Sequence, residues 1–212
     1  MSIVVLILHM MEKYNINQTT LRILGLYRND YKKSLHLREI SRRTEVDVKS
    51  IQLQVRRLEK ANILSSVLKG RNRDYQLNLG NLTARYYMVM AEAFASITLL
   101  QKNFPIKKIV GEIGHLVDGV VLLFGSYAKG TAVKESDVDL FIIADKKPKW
   151  RVFHDVSDLI DREVTMKSAS REQFMKGLEN NDPLVREAVS DHFVLKGVDD
   201  FCEVMWRYYA RQ

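Results

Sequence analysis

Val120-Val121-Leu122-Leu123-Phe124-Gly125-Ser126-Tyr127-Ala128-Lys129-Gly130-Thr131 and, after a polar interval, Asp137-Val138-Asp139-Leu140-Phe141-Ile142-Ile143 decide how this chain is read. Both apolar runs are short, rich in β-branched or aromatic residues and bounded by turn residues, so each reads as a buried strand. Asp137 and Asp139 stand two apart. Alternate side chains of a strand share a face, so both carboxylates point one way while Val138 and Leu140 point into the core. Such a pair can hold a divalent cation, and oxygen donors alone suit Mg²⁺, which completes its shell with water and substrate phosphate. Gly125 and Ser126 supply the complementary half. Glycine lets a backbone approach a ligand closely, and a helix start offers N–H groups and a positive dipole end to an anion. A triphosphate fits between the two halves.

Gly125-Ser126-Tyr127-Ala128-Lys129-Gly130 followed by Ser136-Asp137-Val138-Asp139-Leu140 resembles the nucleotidyltransferase superfamily that includes DNA polymerase beta, and in particular its minimal nucleotidyltransferase branch. The resemblance covers about the second half of the chain. It implies transfer of a nucleoside monophosphate from a nucleoside triphosphate, ATP in the first instance, to a hydroxyl, with release of pyrophosphate. It implies Gly125 and Ser126 on the phosphates and Asp137 and Asp139 on Mg²⁺, and Lys129 and Lys134 are candidate phosphate partners beside them. It also implies a third acid on a neighbouring strand. Arg162 to Ser168 alternates polar with apolar residues, Val164 and Met166 facing the core, so Glu163 takes the catalytic and metal-binding role, with Asp161 as the alternative.

Composition agrees with a globular chain: of 212 residues, 46% are hydrophobic and 28% charged. The net charge of +7 is unevenly placed, about +9 over residues 1–104 and about −2 over 105–212. The front half therefore suits a polyanion. One cysteine, Cys202, excludes an intrachain disulfide framework and suits a reducing cytoplasm, where it serves as a small buried side chain. Residues Ile3 to Met11 are apolar but too few to span a bilayer, so they read as an extra core or dimer segment. The five histidines have no ligand spacing, which argues against zinc.

In the front half, a first helix around Leu21 to Tyr27 and a second over Leu37 to Thr44 precede a third from Asp47 to Ala61. The third carries Val48, Ile51, Val55 and Leu58 as one buried stripe, with Asp47 as cap and Asn62 as a left-handed stop. Leu64 to Leu68 and Tyr75 to Leu77 follow as a ribbon tipped by Lys69-Gly70-Arg71-Asn72-Arg73. The series resembles small bacterial and archaeal winged helix-turn-helix regulators. That resemblance implies Lys49, Ser50, Gln52, Gln54 and Arg57 in a major groove of double-stranded DNA and Arg71 and Arg73 on phosphate or minor groove. Glu45 departs from it by standing where the turn often has glycine, and Leu53 by standing where a polar contact is common.

From Asn81 to about Phe104 one long helix is apolar on nearly every side, which predicts burial all round and a two-fold dimer through it. The expected organisation is α+β: a winged helix-turn-helix over 1–80, a linking and dimerisation helix over 81–104, and a nucleotidyltransferase mixed sheet with helices over 105–212. A helix from Ile106 to Asp118 leads into the first strand, another from Trp150 to Asp161 covers the sheet, and Ser170 to Gln212 reads as helices that resemble the tail of archaeal-type fusions of these two domains. Two further readings stay open beside the enzyme. One is a transcriptional regulator whose nucleotidyltransferase domain senses nucleotide or is inactive. The other, by resemblance to minimal nucleotidyltransferase antitoxins, is a partner of an all-helical toxin.

Overall fold

The structure, a computed structural model, describes residues 16–70, 72–113, 117–146, 156–158 and 160–211. Residues 3–11, Arg71 and most of the helix expected over 150–161 lie outside the described residues. The architecture is mixed α+β, and the chain divides into two compact units, Met1–Ala91 and Glu92–Gln212.

In the first unit, α1 (Gln18–Gly25) starts at Asn17, whose side chain accepts the Thr20 N–H at 2.9 Å. A two-residue strand β1 (Leu35–His36), which the sequence did not suggest, leads straight into α2 (Leu37–Thr44). The turn out of α2 is left-handed at Glu45, φ 57°. The backbone thus adopts at Glu45 the conformation glycine would take there at lower cost. Asp47 then caps α3 (Val48–Lys60), accepting the Ser50 N–H at 2.9 Å. Asn62, φ 60°, turns the chain as its residue type predicts. Strands β2 (Leu64–Lys69) and β3 (Asn72–Leu77) pair antiparallel, and β1 joins β3, giving the order β1-β3-β2.

The ribbon tip is shorter than expected, because Asn72 and Arg73 lie inside β3 and pair with Lys69 and Leu68. Gly70, φ 61°, makes the tight reversal possible. Ile23, Leu24, Ile40, Ile51 and Val55 form a dry core, within which Tyr27 donates to the Tyr75 carbonyl at 2.9 Å. Burial pushes the Tyr27 hydroxyl well above its ordinary range, so it stays a donor. Val48 does not join the stripe predicted for α3; it sits at the first helical position and is 42% exposed.

The division between units falls within α4 (Leu82–Lys102). This helix is not buried all round. Ala84, Tyr87, Met88, Ala91 and Leu99 are buried, while Leu82, Tyr86 and Ile97 stay exposed as a second apolar stripe. In the second unit, α5 (Phe104–Ile113) begins earlier than its apolar pattern suggested, with Pro105 in the first turn, where a missing N–H leaves no bond unmade.

Strands β4 (Val120–Phe124), β5 (Val138–Ile143) and β6 (Val164–Ala169) come from the segments the sequence marked. Between them and after them lie α6 (Gly125–Lys129), α7 (Arg171–Glu179), capped by a reciprocal Ser170–Gln173 box, and α8 (Pro183–Ser190), capped by Asp182. A fourth strand, β7 (Phe193–Lys196), interrupts what read as an all-helical tail before α9 (Val198–Ala210). The sheet order is β6-β5-β4-β7, with β5 and β6 parallel and the other pairs antiparallel.

One face of this sheet presents Val121, Leu123, Val138, Leu140 and Met166 to Ile106, Ile109 and Ile113 of α5. On the other, the Phe124, Phe141 and Phe174 rings stack in sequence at centroid separations of 6.4 and 5.7 Å. Cys202 is buried, as a lone cysteine was expected to be. His192 and Glu92 form a buried pair, Nε2 to Oε1 at 3.1 Å, while Nδ1 lies 2.9 Å from the Val189 carbonyl.

Candidate functional site

Strand alternation builds the site. Val138 is buried, so Asp139 lies on the opposite face, half-buried within β5, and Asp137 is exposed just before the strand. Asp139 pairs with Phe124 across the sheet, and Gly125 follows Phe124 directly. The chain bends there at φ +68°, and a Cβ built on Gly125 would stand 2.9 Å from the Asp139 Cγ and closer still to Oδ2. The bend and the carboxylate therefore occupy touching volumes, and only glycine leaves room for both. No side chain caps the start of α6, and the half-buried Ser126 accepts the Thr131 N–H at 3.0 Å on its carbonyl, which closes the loop behind it.

The residue facing Asp139 from β6 is Thr165. The two are register partners, and the Thr165 hydroxyl donates to Asp139 Oδ1 at 2.6 Å. Glu163 lies two residues earlier, just ahead of β6, and is exposed; its carbonyl accepts the Val138 N–H at 2.9 Å, which sets its backbone beside the start of β5. Among the described residues no three acidic, histidine or cysteine side chains converge closely enough to hold a metal ion. Two carboxylates at a glycine bend, with oxygen donors alone, still fit a hard cation that draws its other ligands from water and phosphate. Lys129 is engaged with Glu187 at 3.0 Å on the surface. A cavity of about 580 Å³ opens nearby, lined by Leu99, Tyr127, Lys134, Arg162 and Phe193. Leu99, Tyr127 and Phe193 pack on the Val138 side of the sheet, so this cavity does not contain the Asp139 carboxylate.

On α3, Lys49, Ser50 and Arg57 are exposed and Gln52 is half-buried. Gln54 does not belong with them. It is 9% exposed and its amide oxygen lies 3.5 Å from the Thr20 hydroxyl, because its helical position turns it toward α1. Arg56, seven residues after Lys49 and so two turns along the same face, is exposed and was missed by the sequence reading. Leu53, 50% exposed, lies between them. Arg73 is 51% exposed and reaches Glu59 at 3.5 Å, and Arg71 lies outside the described residues.

Residues 106–191 match the family model described as a nucleotidyltransferase domain, and the C-terminal part of the chain is such a domain. A Methanocaldococcus jannaschii protein named as a candidate protein adenylyltransferase, MJ1305, is 62% identical over 32 residues, 15% of this chain and 22% of its own length. The chain thus spans about a fifth of that curated relative. Among solved structures, a toxin–antitoxin complex with AMP-PNP is similar at 19% identity and TM-score 0.34, over 50% of this chain and 86% of that one. The archaeal chromatin protein TrmBL2 is similar at 12% identity and TM-score 0.27, over 73% of this chain and 63% of that one.

Proposed function

We propose that the C-terminal unit transfers a nucleoside monophosphate from ATP to a hydroxyl, and that the N-terminal unit is a winged helix-turn-helix that binds double-stranded DNA. The observation that carries the first half is the Asp139 carboxylate lodged between the Gly125 bend and the Thr165 hydroxyl, with Asp137 exposed beside it. Asp137 and Asp139 would hold Mg²⁺, which when bound neutralises phosphate charge. Gly125 and Ser126 orient the triphosphate tail so that the acceptor oxygen meets the α-phosphorus in line with the departing pyrophosphate. The new O–P bond forms as the P–O bond to the β-phosphate breaks. Glu163, just ahead of the neighbouring strand β6, accepts the acceptor's proton. Lys129 reaches the phosphates only by leaving Glu187, an exposed pairing that costs little to break.

The naming of the Methanocaldococcus jannaschii relative supports ATP as the nucleotide and a protein as the acceptor. The test is Mg²⁺-dependent transfer of label from α-labelled ATP to an acceptor trapped in an extract. Absence of any labelled product would discard the transferase reading. A second reading is favoured by the hydroxyl that stands where a third carboxylate was expected to face Asp139: a DNA-binding regulator that senses nucleotide without turnover. Nucleotide that alters DNA affinity with no transfer, in the presence or absence of DNA, selects it.

For the DNA-binding unit, the exposed run of Lys49, Arg56 and Arg57 on α3 supports a phosphate-facing surface. Replacing Lys49 or Arg56 by Ala should weaken binding to duplex DNA and lower the slope of log affinity against log salt by about 1 for each phosphate no longer neutralised. Fluorescence anisotropy across a salt series measures it. An unchanged slope in both variants removes α3 from the interface.

The exposed stripe of Leu82, Tyr86 and Ile97 on α4 supports a homodimer through that helix. Sedimentation equilibrium of the Tyr86→Glu, Ile97→Glu double variant should show a monomer where the parent chain shows a dimer. A variant that still sediments as a dimer would place the interface elsewhere.

A further inference from the structure

The β5–β6 ladder brings Thr165 into direct register with Asp139 and fixes what its hydroxyl can do. Val164 and Met166 on either side are buried, so Thr165 must face the carboxylates. Threonine is stiff at χ1 because it branches at Cβ, so a paired backbone places its hydroxyl with little freedom. That hydroxyl has one hydrogen, and it points to Asp139 Oδ1 across 2.6 Å, within the range of charge-assisted O–H···O⁻ bonds. The other oxygen, Oδ2, rests against the Gly125 bend. One oxygen held from β6 and the other confined from β4 leave the carboxylate plane a single orientation, whereas Asp137 is exposed just ahead of the strand.

We propose that Thr165 is a positioning residue: its hydroxyl holds the Asp139 carboxylate in the plane in which it meets a divalent cation and the nucleotide phosphates. The proposal rests on the reading of this site as a cation and nucleotide site. It assigns β6 a part that depends on the Thr165 hydroxyl, separate from the proton-accepting role given to Glu163. Residues that orient a ligand without touching the ion typically contribute 10–100-fold in metal affinity, which sets the expected size of the effect.

The test uses the full chain with Mn²⁺ and a non-hydrolysable ATP analogue, free Mn²⁺ being read by electron paramagnetic resonance and folding by thermal unfolding. Thr165→Val keeps the branch and volume but removes the donor. It should bind Mn²⁺ about 10–100-fold more weakly with its unfolding temperature nearly unchanged, and Thr165→Ser should recover most of the affinity. Thr165→Ala gives the same reading if valine disturbs the strand. Wild-type affinity in the valine and alanine variants, with binding lost in Asp139→Asn, overturns the role of Thr165 and leaves the site standing. Loss of affinity in Thr165→Ser as great as in Thr165→Val overturns it too. A parent chain that binds no Mn²⁺ with the nucleotide overturns the site and this role together.

Discussion

Asp139→Asn should reduce Mg²⁺-dependent transfer of label from α-labelled ATP by about 100-fold or more, since a direct ligand matters at least as much as the groups that orient it. The substitution preserves shape and leaves Oδ1 able to accept from Thr165, so the loss reads the missing charge and not a collapsed strand. Asp137→Asn should act alike with even less effect on folding, because Asp137 is exposed just before β5. If both acids hold one ion they work as a unit, and the double variant should be no worse than the poorer single one. Rates multiplying down in the double variant would separate the two roles. Undiminished transfer in either single variant would remove that acid from the site.

Gly125→Ala should damage stability and activity together, through one collision. At φ +68° any L side chain is strained by about 1–2 kcal/mol, and here the added Cβ also enters the space of the Asp139 carboxylate. Either the bend opens or the carboxylate swings away from Thr165, so transfer should fall by about 100-fold. A double-mutant cycle isolates the cause: in an Asp139→Ala background the same glycine change should cost only the backbone strain. Thermal unfolding of the four chains gives the coupling. Equal costs in both backgrounds would mean that the bend and the carboxylate do not meet.

What was legible in the sequence was mostly local. Asn62, Asp47, the Ser170 cap and Asp182-Pro183 act within a turn of their own positions, and each behaves in the structure as its residue type demands. The strands β4 and β5 were legible because their apolar runs are fully committed to a core. What failed depended on distant partners. Gln54 looked like an exposed reader of bases, but α1 packs over its position. Phe193 to Lys196 fell in a tail that read as helices, yet the edge of β4 recruits it as a strand. The long helix was expected to bury one apolar side on a second subunit, and within one chain Leu82, Tyr86 and Ile97 are exposed. Thr165 could have been found by counting: it is the polar residue between Val164 and Met166, the same alternation that drew attention to Glu163.

The bond between Thr165 and Asp139 joins residues 26 apart, across the parallel pairing of β5 with β6. Contacts between near neighbours close quickly, whereas a crossover of this kind must wait for a long loop to be gathered in. A ribosome will have released the glycine bend and both aspartates well before it delivers the strand that steadies them. The order of manufacture therefore keeps the carboxylate unaligned until that strand has docked.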